Sequence, residues 1–243
     1  MIRTAVLSLA LAACAQAGGQ PSGDDDPNVD APRRGDGSIT DDTLQIDAPP
    51  LDMGLTPITL SQTTVDSIGA QNSVACGNAD DSTAENSWYR VFRLADAGIP
   101  TGLRINSVTF GVQEASGLPA VQVKIGTYAG NLSPTPTQLD TALITPLAAE
   151  TFNVPNTAPT ATTSVTVPIA ANVPALSQVI VEVFAPDLMG TGKYFYIGGN
   201  SAGESKPSYL RAPSGGCATP QPRSTSSLGF PTSHLVIKVS GSY

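Results

Sequence analysis

Short apolar runs of four to ten residues fill the chain from residue 57 to the C-terminus, separated by segments that contain Gly, Pro or Asn. The runs are rich in Val, Ile, Tyr and Phe, and many alternate with polar residues, which is the pattern of half-buried β-strands. None continues with helical spacing beyond about one turn near residues 94–97. We therefore expect an all-β fold, an antiparallel two-layer β-sandwich of the jelly-roll kind.

The predicted domain spans residues 57–243 and has room for eight to ten strands. The chain contains 23 Gly and 21 Pro, which supply the turns that so many short strands require. The expected strands lie at residues 87–94, 105–114, 121–128, 163–169, 178–184, 193–197, 208–211 and 234–239.

The first 13 residues have the features of a bacterial export signal. Arg3 precedes an apolar run over residues 5–13 that is too short to span a bilayer as a helix. The motif Leu11-Ala12-Ala13-Cys14 resembles the lipobox of bacterial lipoproteins. This resemblance implies cleavage before Cys14 and lipid on that cysteine, which would anchor the protein at the outer membrane or cell surface. Ordinary secretion, with cleavage after residue 17, is the alternative.

Residues 14–56 are expected to form a disordered acidic tether after the lipidated cysteine. They contain nine Asp and two Arg, a net charge of −7, and few apolar residues without any period. Such a segment cannot bury enough surface to offset the entropy of ordering it. The remaining domain is nearly neutral and has no run of basic residues, so nucleic-acid binding is not expected.

Two cysteines, Cys76 and Cys217, lie near opposite ends of the domain sequence, each beside glycine. In the oxidising compartment that an export signal implies, a disulfide between them is expected. Two free thiols are the alternative.

Arg90 alternates with Trp88 and Phe92, so it occupies an apolar strand face. Glu182 and Glu114 alternate with apolar residues in their own predicted strands. Because a buried charge needs a partner, we expect a buried ion pair between Arg90 and one of these acids. The face of Glu182 is ambiguous, since both sides of its strand are apolar, and a ligand-binding role for Arg90 is the alternative.

The segment 199–203 matches the G-x-S-x-G pattern of serine hydrolases and places Ser201 at its centre. The pattern functions where a strand precedes the serine and a helix follows it. Here Pro207 interrupts any such helix, and Glu204 is the only acid between Ser201 and His234. We therefore expect no catalytic activity, with a secreted hydrolase as a minor alternative.

Three segments, residues 86–92, 181–187 and 208–211, resemble a repeated extracellular domain of large secreted bacterial proteins and lipoproteins. The resemblance implies a sandwich fold and a location outside the cell, and it implies no mechanism. The chain departs from that pattern at Arg93, where an acid is expected.

Together these features favour a surface-anchored, non-catalytic binding or adhesion module for an extracellular glycan or protein. A structural cell-envelope component without a soluble ligand is the alternative. Aromatic rings supply contact area to such ligands. The candidate contacts are Tyr89, Tyr128, Tyr194, Tyr196 and Tyr209.

No cofactor is expected, with calcium as the one candidate. Four oxygen-bearing side chains occur close together in a single loop, as calcium sites require. They are Asp80, Asp81, Glu85 and Asn86.

Overall fold

The structure, a computed structural model, describes residues 54–243. Three short 3-10 turns, at Leu94–Ala97, Thr141–Leu143 and Ser226–Leu228, are the only helical elements within this range. No helix in it is long and apolar enough to cross a membrane. The twelve strands are β1 (Pro57–Leu60), β2 (Asn86–Arg93), β3 (Leu103–Ser116), β4 (Ala120–Tyr128), β5 (Ile144–Asn153), β6 (Thr163–Val173), β7 (Gln178–Ala185), β8 (Tyr194–Asn200), β9 (Tyr209–Ala212), β10 (Thr219–Ser224), β11 (His234–Leu235) and β12 (Ile237–Ser242).

The strands form two six-stranded antiparallel sheets. Sheet 1 contains the order β1-β12-β3-β6, and sheet 2 contains the order β2-β7-β4-β5. These two four-stranded orders are those of a jelly roll, so the predicted fold class is confirmed. Strands β8 to β11 form an insertion before the last strand. Within it, β8 pairs with the C-terminal part of β3 on the same side as β12, and β11 pairs with β8, while β9 and β10 extend sheet 2 beyond β2.

The core lies between the two sheets because one face of each central strand is apolar. In β6 the burial alternates residue by residue, and Val165, Val167 and Ile169 face inward. The aromatic centre of the core is Phe195, whose ring meets Trp88 at 5.4 Å and Phe110 at 6.1 Å, both edge to face. Edge-to-face packing of this kind adds to the stabilisation that burial itself provides.

A second apolar cluster covers the outer face of sheet 2. The connection between β4 and β5, residues 129–143, folds over this face and places the fully buried Leu139 in the cluster. A backbone hydrogen bond of 2.9 Å from Leu139 N–H to the Pro222 carbonyl holds the connection against β10. The strand residues of the cluster are Tyr89, Val91, Tyr128, Ile180 and Tyr209.

The predicted disulfide is confirmed. Cys76 and Cys217 are bonded to each other, with Cα atoms 5.9 Å apart. Because disulfides persist in oxidising compartments, this bond indicates an extracellular protein.

Candidate functional site

A β-bulge in β3 determines which side chains reach the outer face of sheet 1 near β8. Val112 pairs with Ile197, but the next pair joins Glu114 to Tyr196, so Gln113 is the extra residue. A bulge shifts the in-out alternation by one position. Glu114 therefore faces outward beside Tyr196, instead of inward with Val112 as the sequence pattern suggested.

Two facing glycines allow the segment around Ile68 and Gly69, which we name the crossing segment, to pass over the same outer face. Gly111 of β3 pairs with Gly198 of β8, and Ile68 packs over them. A Cβ atom on either glycine would lie 2.9–3.0 Å from the Ile68 side chain, so neither position tolerates a larger residue without moving the segment. The Gly69 N–H donates to the Gly199 carbonyl at 2.8 Å and fixes the crossing point.

Beyond this crossing point lies an open groove of about 400 Å³, which we name the tyrosine groove. The rings of Tyr194 and Tyr196 lie 5.9 Å apart with an interplanar angle of 48° and form one wall. Both side chains are partly exposed. The groove is lined by Gln71, Ser73, Asp81, Gln113, Glu114, Tyr194 and Tyr196.

The crossing segment holds the Gln113 side chain in the groove. The Oε1 atom of Gln113 accepts a hydrogen bond of 2.7 Å from the backbone N–H of Asn72. This bond joins the bulge to the rim and orients the Gln113 amide. The Ser73 hydroxyl is buried and has no hydrogen-bond partner among the described residues.

The carboxylates of the groove act on both tyrosines. Hydrogen bonding to Glu114 raises the pKa of the Tyr194 phenol. Burial, followed by the charges of Glu114 and Asp81, raises the pKa of Tyr196. Both phenols thus stay protonated near neutral pH and can donate hydrogen bonds.

The prediction that the other three tyrosines contact a ligand at the surface is wrong. Tyr89, Tyr128 and Tyr209 are only 3%, 5% and 2% exposed, because the connection after β4 covers them. The Tyr209 hydroxyl donates to the Pro136 carbonyl at 2.9 Å, within that connection.

The predicted partners of Arg90 are also wrong. Arg90 is buried on the inner face of β2, and its Nη1 atom lies 2.7 Å from Oε2 of Glu204. Glu182 pairs with Tyr89 across the strands and so lies on the opposite, outer face of sheet 2, where it contacts Lys124 at 3.2 Å. Glu114 is directed outward by the bulge.

Arg90 joins sheet 2 to the insertion through further hydrogen bonds. Its guanidinium donates to the Leu235 carbonyl at 2.6 and 3.1 Å and to the Lys206 carbonyl at 2.7 Å. Burial lowers the pKa of Arg90, while the Glu204 carboxylate acts in the opposite direction. The charge of Arg90 is thus paired with groups of the protein itself, so we assign this residue a structural role.

The residues of the hydrolase pattern do not form a nucleophile elbow. Ser201 is exposed and is followed by bends and an isolated bridge instead of a helix. His234 Nδ1 lies 3.4 Å from Oε1 of Glu204, and Ser208 donates to Oε2 of the same carboxylate at 2.7 Å. A Cβ atom on Gly199 would lie 2.9 Å from the His234 carbonyl oxygen, so this glycine reflects close backbone packing.

The four residues predicted to bind calcium do not act as one set. Asn86 is fully buried, and its Oδ1 accepts the Cys76 N–H at 2.8 Å. Glu85 pairs with Arg211 at 2.8 Å. Hydrogen bonds from Ser82 and the Gly190 N–H lower the pKa of Asp80, while Asp81 lines the tyrosine groove. Within residues 54–243 no group of three or more His, Cys, Asp or Glu side chains is arranged to hold a metal ion.

The expected signal peptide, the lipobox cysteine Cys14 and the acidic tether lie outside the described residues.

No protein-family model and no curated protein matches the chain. Among solved structures, the chain is similar to that of the cysteine protease and lectin-like domains of Cwp84, a surface layer associated protein of Clostridium difficile. The TM-score is 0.45 and the sequence identity is 14%. The similarity covers 66% of this chain and 32% of that one, so this chain spans about a third of that protein's length.

Proposed function

We propose that residues 57–243 form a non-catalytic carbohydrate-binding module whose sugar site is the tyrosine groove. The observation that carries this proposal is the pair of adjacent, partly exposed rings, Tyr194 and Tyr196, beside groups that both donate and accept hydrogen bonds. A sugar ring has apolar C–H faces and a polar edge. Aromatic rings pack against the faces, while carboxylates and amides bind the hydroxyl groups.

The polar side chains of the groove suit this division of roles. Glu114 and Asp81 accept hydrogen bonds from hydroxyl groups, and the Gln113 amide donates one. Such sites combine an apolar surface with a few well-placed polar groups, as ligand pockets generally do.

We place the module outside the cell, carried by an exported protein. The disulfide supports an oxidising compartment. Lipid on Cys14 would attach the protein to the outer membrane or cell surface, and the acidic tether would hold the module clear of the lipid by about 35–40 Å. Adhesion to glycan-bearing surfaces is then the role that the module serves.

The test is a glycan array probed with the purified protein, followed by thermal unfolding with each glycan that binds. At about 100 times its Kd, a glycan should raise the Tm by about 5–10 °C. Tyr194→Ala and Tyr196→Ala should abolish this shift. Phe230→Ala, which removes another exposed aromatic ring, is the matched control and should preserve it.

Failure of every glycan to bind would refute the proposal and favour a structural envelope component or a protein ligand. Binding that survives both tyrosine substitutions would place the sugar site elsewhere in the domain.

A further inference from the structure

The charged side chains that line the tyrosine groove are all acidic. Asp81 and Glu114 contribute two carboxylates, and the lining includes no Lys or Arg. By contrast, the carboxylates elsewhere on the domain surface include several with a basic partner, such as Glu85 with Arg211 and Glu182 with Lys124. The groove therefore presents uncompensated negative charge to whatever enters it.

This charge lies directly beside the tyrosine rings. Glu114 is the cross-strand neighbour of Tyr196, and both carboxylates raise the pKa of that phenol. A cation in the groove would thus meet carboxylates and aromatic rings together, two groups that both attract positive charge.

The Gln113 amide contributes a hydrogen-bond donor to the groove. Gln113 is only 9% exposed and lines the groove. Its Oε1 accepts the Asn72 N–H, and among the hydrogen bonds of residues 54–243 its Nε2 group makes none. A fixed amide with a free donor is suited to an oxygen atom of a ligand.

We infer that the groove selects sugars that carry a protonated amine, of the glucosamine class, whose ammonium lies between Glu114 and Asp81 against the tyrosine rings. This inference rests on the proposed function, because it names the sugar class of the same site. The amide of Gln113 donates to a hydroxyl or ring oxygen of the same sugar. Sugars with carboxylate or sulfate groups are repelled by the two acids, and neutral sugars gain only hydrogen bonds from them, without an ion pair.

The test is titration calorimetry of the purified protein with three oligosaccharides of equal length. These are a glucosamine pentamer, its fully N-acetylated counterpart and a neutral glucose pentamer. The glucosamine pentamer should bind about tenfold more tightly than the other two, since its ammonium gains ion-pair and cation–π contacts. Its affinity should fall as salt is added and as the pH is raised until the amine loses its proton.

Isosteric variants separate the charge from the shape of the groove. Glu114→Gln and Asp81→Asn should each weaken binding of the glucosamine pentamer more than binding of the N-acetylated pentamer, so that the preference for the amine is lost. Asn is suited to residue 81, whose φ of 64° lies in the left-handed region that Asn and Asp tolerate. Glu150→Gln, at an exposed carboxylate of β5, is the matched control and should not alter binding.

The outcomes distinguish this inference from the proposed function. Equal affinity for all three pentamers, abolished by Tyr194→Ala, would overturn the amine preference and leave a carbohydrate module. No binding of any pentamer or array glycan would overturn both. A tri-lysine peptide that binds as tightly as the glucosamine pentamer would show that charge alone is recognised and would overturn the sugar assignment.

Discussion

Tyrosines lie on the outer faces of both sheets, but the two faces differ in what covers them. On sheet 2 the connection 129–143 packs over Tyr89, Tyr128 and Tyr209 and leaves them 2–5% exposed. On sheet 1 the crossing segment packs at the Gly111–Gly198 pair, and the tyrosines of β8 beyond it stay partly exposed.

The comparison teaches that the same residue type on the same kind of face serves two roles. A tyrosine covered by a loop packs in the second apolar cluster, and its hydroxyl makes a hydrogen bond within the protein, as Tyr209 does with the Pro136 carbonyl. A tyrosine beside a loop remains available to a ligand. The length and path of the connections, more than the strand itself, decide which role a tyrosine takes.

The largest expected effect comes from truncating one tyrosine on each face. Tyr209→Ala should lower the free energy of unfolding by about 3–5 kcal/mol, because it leaves a cavity under the connection and an unpaired Pro136 carbonyl. Tyr194→Ala should change it by less than about 0.5 kcal/mol, as expected for a surface site. Urea unfolding of the two variants measures both values, and equal losses would remove the distinction between the two faces.

A smaller contrast is expected between a carboxylate that pairs with a buried base and one that pairs with a partly exposed base. Glu204→Gln should cost about 3 kcal/mol, because it leaves the charge of Arg90 buried without a partner. Glu182→Gln should cost less than about 1 kcal/mol, since Lys124 is 35% exposed and can turn to water. Urea unfolding at neutral pH compares the two; a cost for Glu204→Gln below that for Glu182→Gln would mean that the carbonyl contacts alone stabilise Arg90.

The central strands could be predicted from the sequence because burial leaves a pattern in them. The sequence predicts the central strands β3, β4 and β7 and the turn at Leu94–Ala97, and it also predicts the edge strand β6, whose burial alternates residue by residue. The three missed strands, β1, β5 and β10, each lie at the edge of a sheet. Edge strands need not alternate, and β10 contains Pro220 and Pro222, which edges tolerate.

The candidate site was only partly predictable, for a related reason. The sequence predicts Tyr194 and Tyr196 as contacts, but it predicts that Glu114 is buried because nothing in its flanking residues marks the bulge at Gln113. Gln71 and Ser73 reach the groove through the crossing segment, whose path depends on tertiary packing. The partner of Arg90 was missed because Glu204 lies outside the strands, where no periodicity indicates a direction.

The smallest expected effect is a difference in alkaline stability between the two faces. Burial raises the pKa of Tyr209 well above the value of about 10 in unfolded chains. The stabilisation from its protonated phenol is therefore complete below about pH 10 and is lost as the pH rises towards the folded pKa, by at most about 1.4 kcal/mol per pH unit. Tyr209→Phe removes this loss, so its urea midpoint should fall less between pH 9 and pH 11 than that of the unsubstituted protein.

Tyr194→Phe should reduce the pH dependence less, because hydrogen bonding to Glu114, and not deep burial, is the main cause of its raised pKa. The opposing result is that Tyr194→Phe reduces the pH dependence of the urea midpoint as much as Tyr209→Phe does. That result would show that the connection over sheet 2 does not protect its tyrosines from ionisation, and the contrast between the covered and open faces would be wrong.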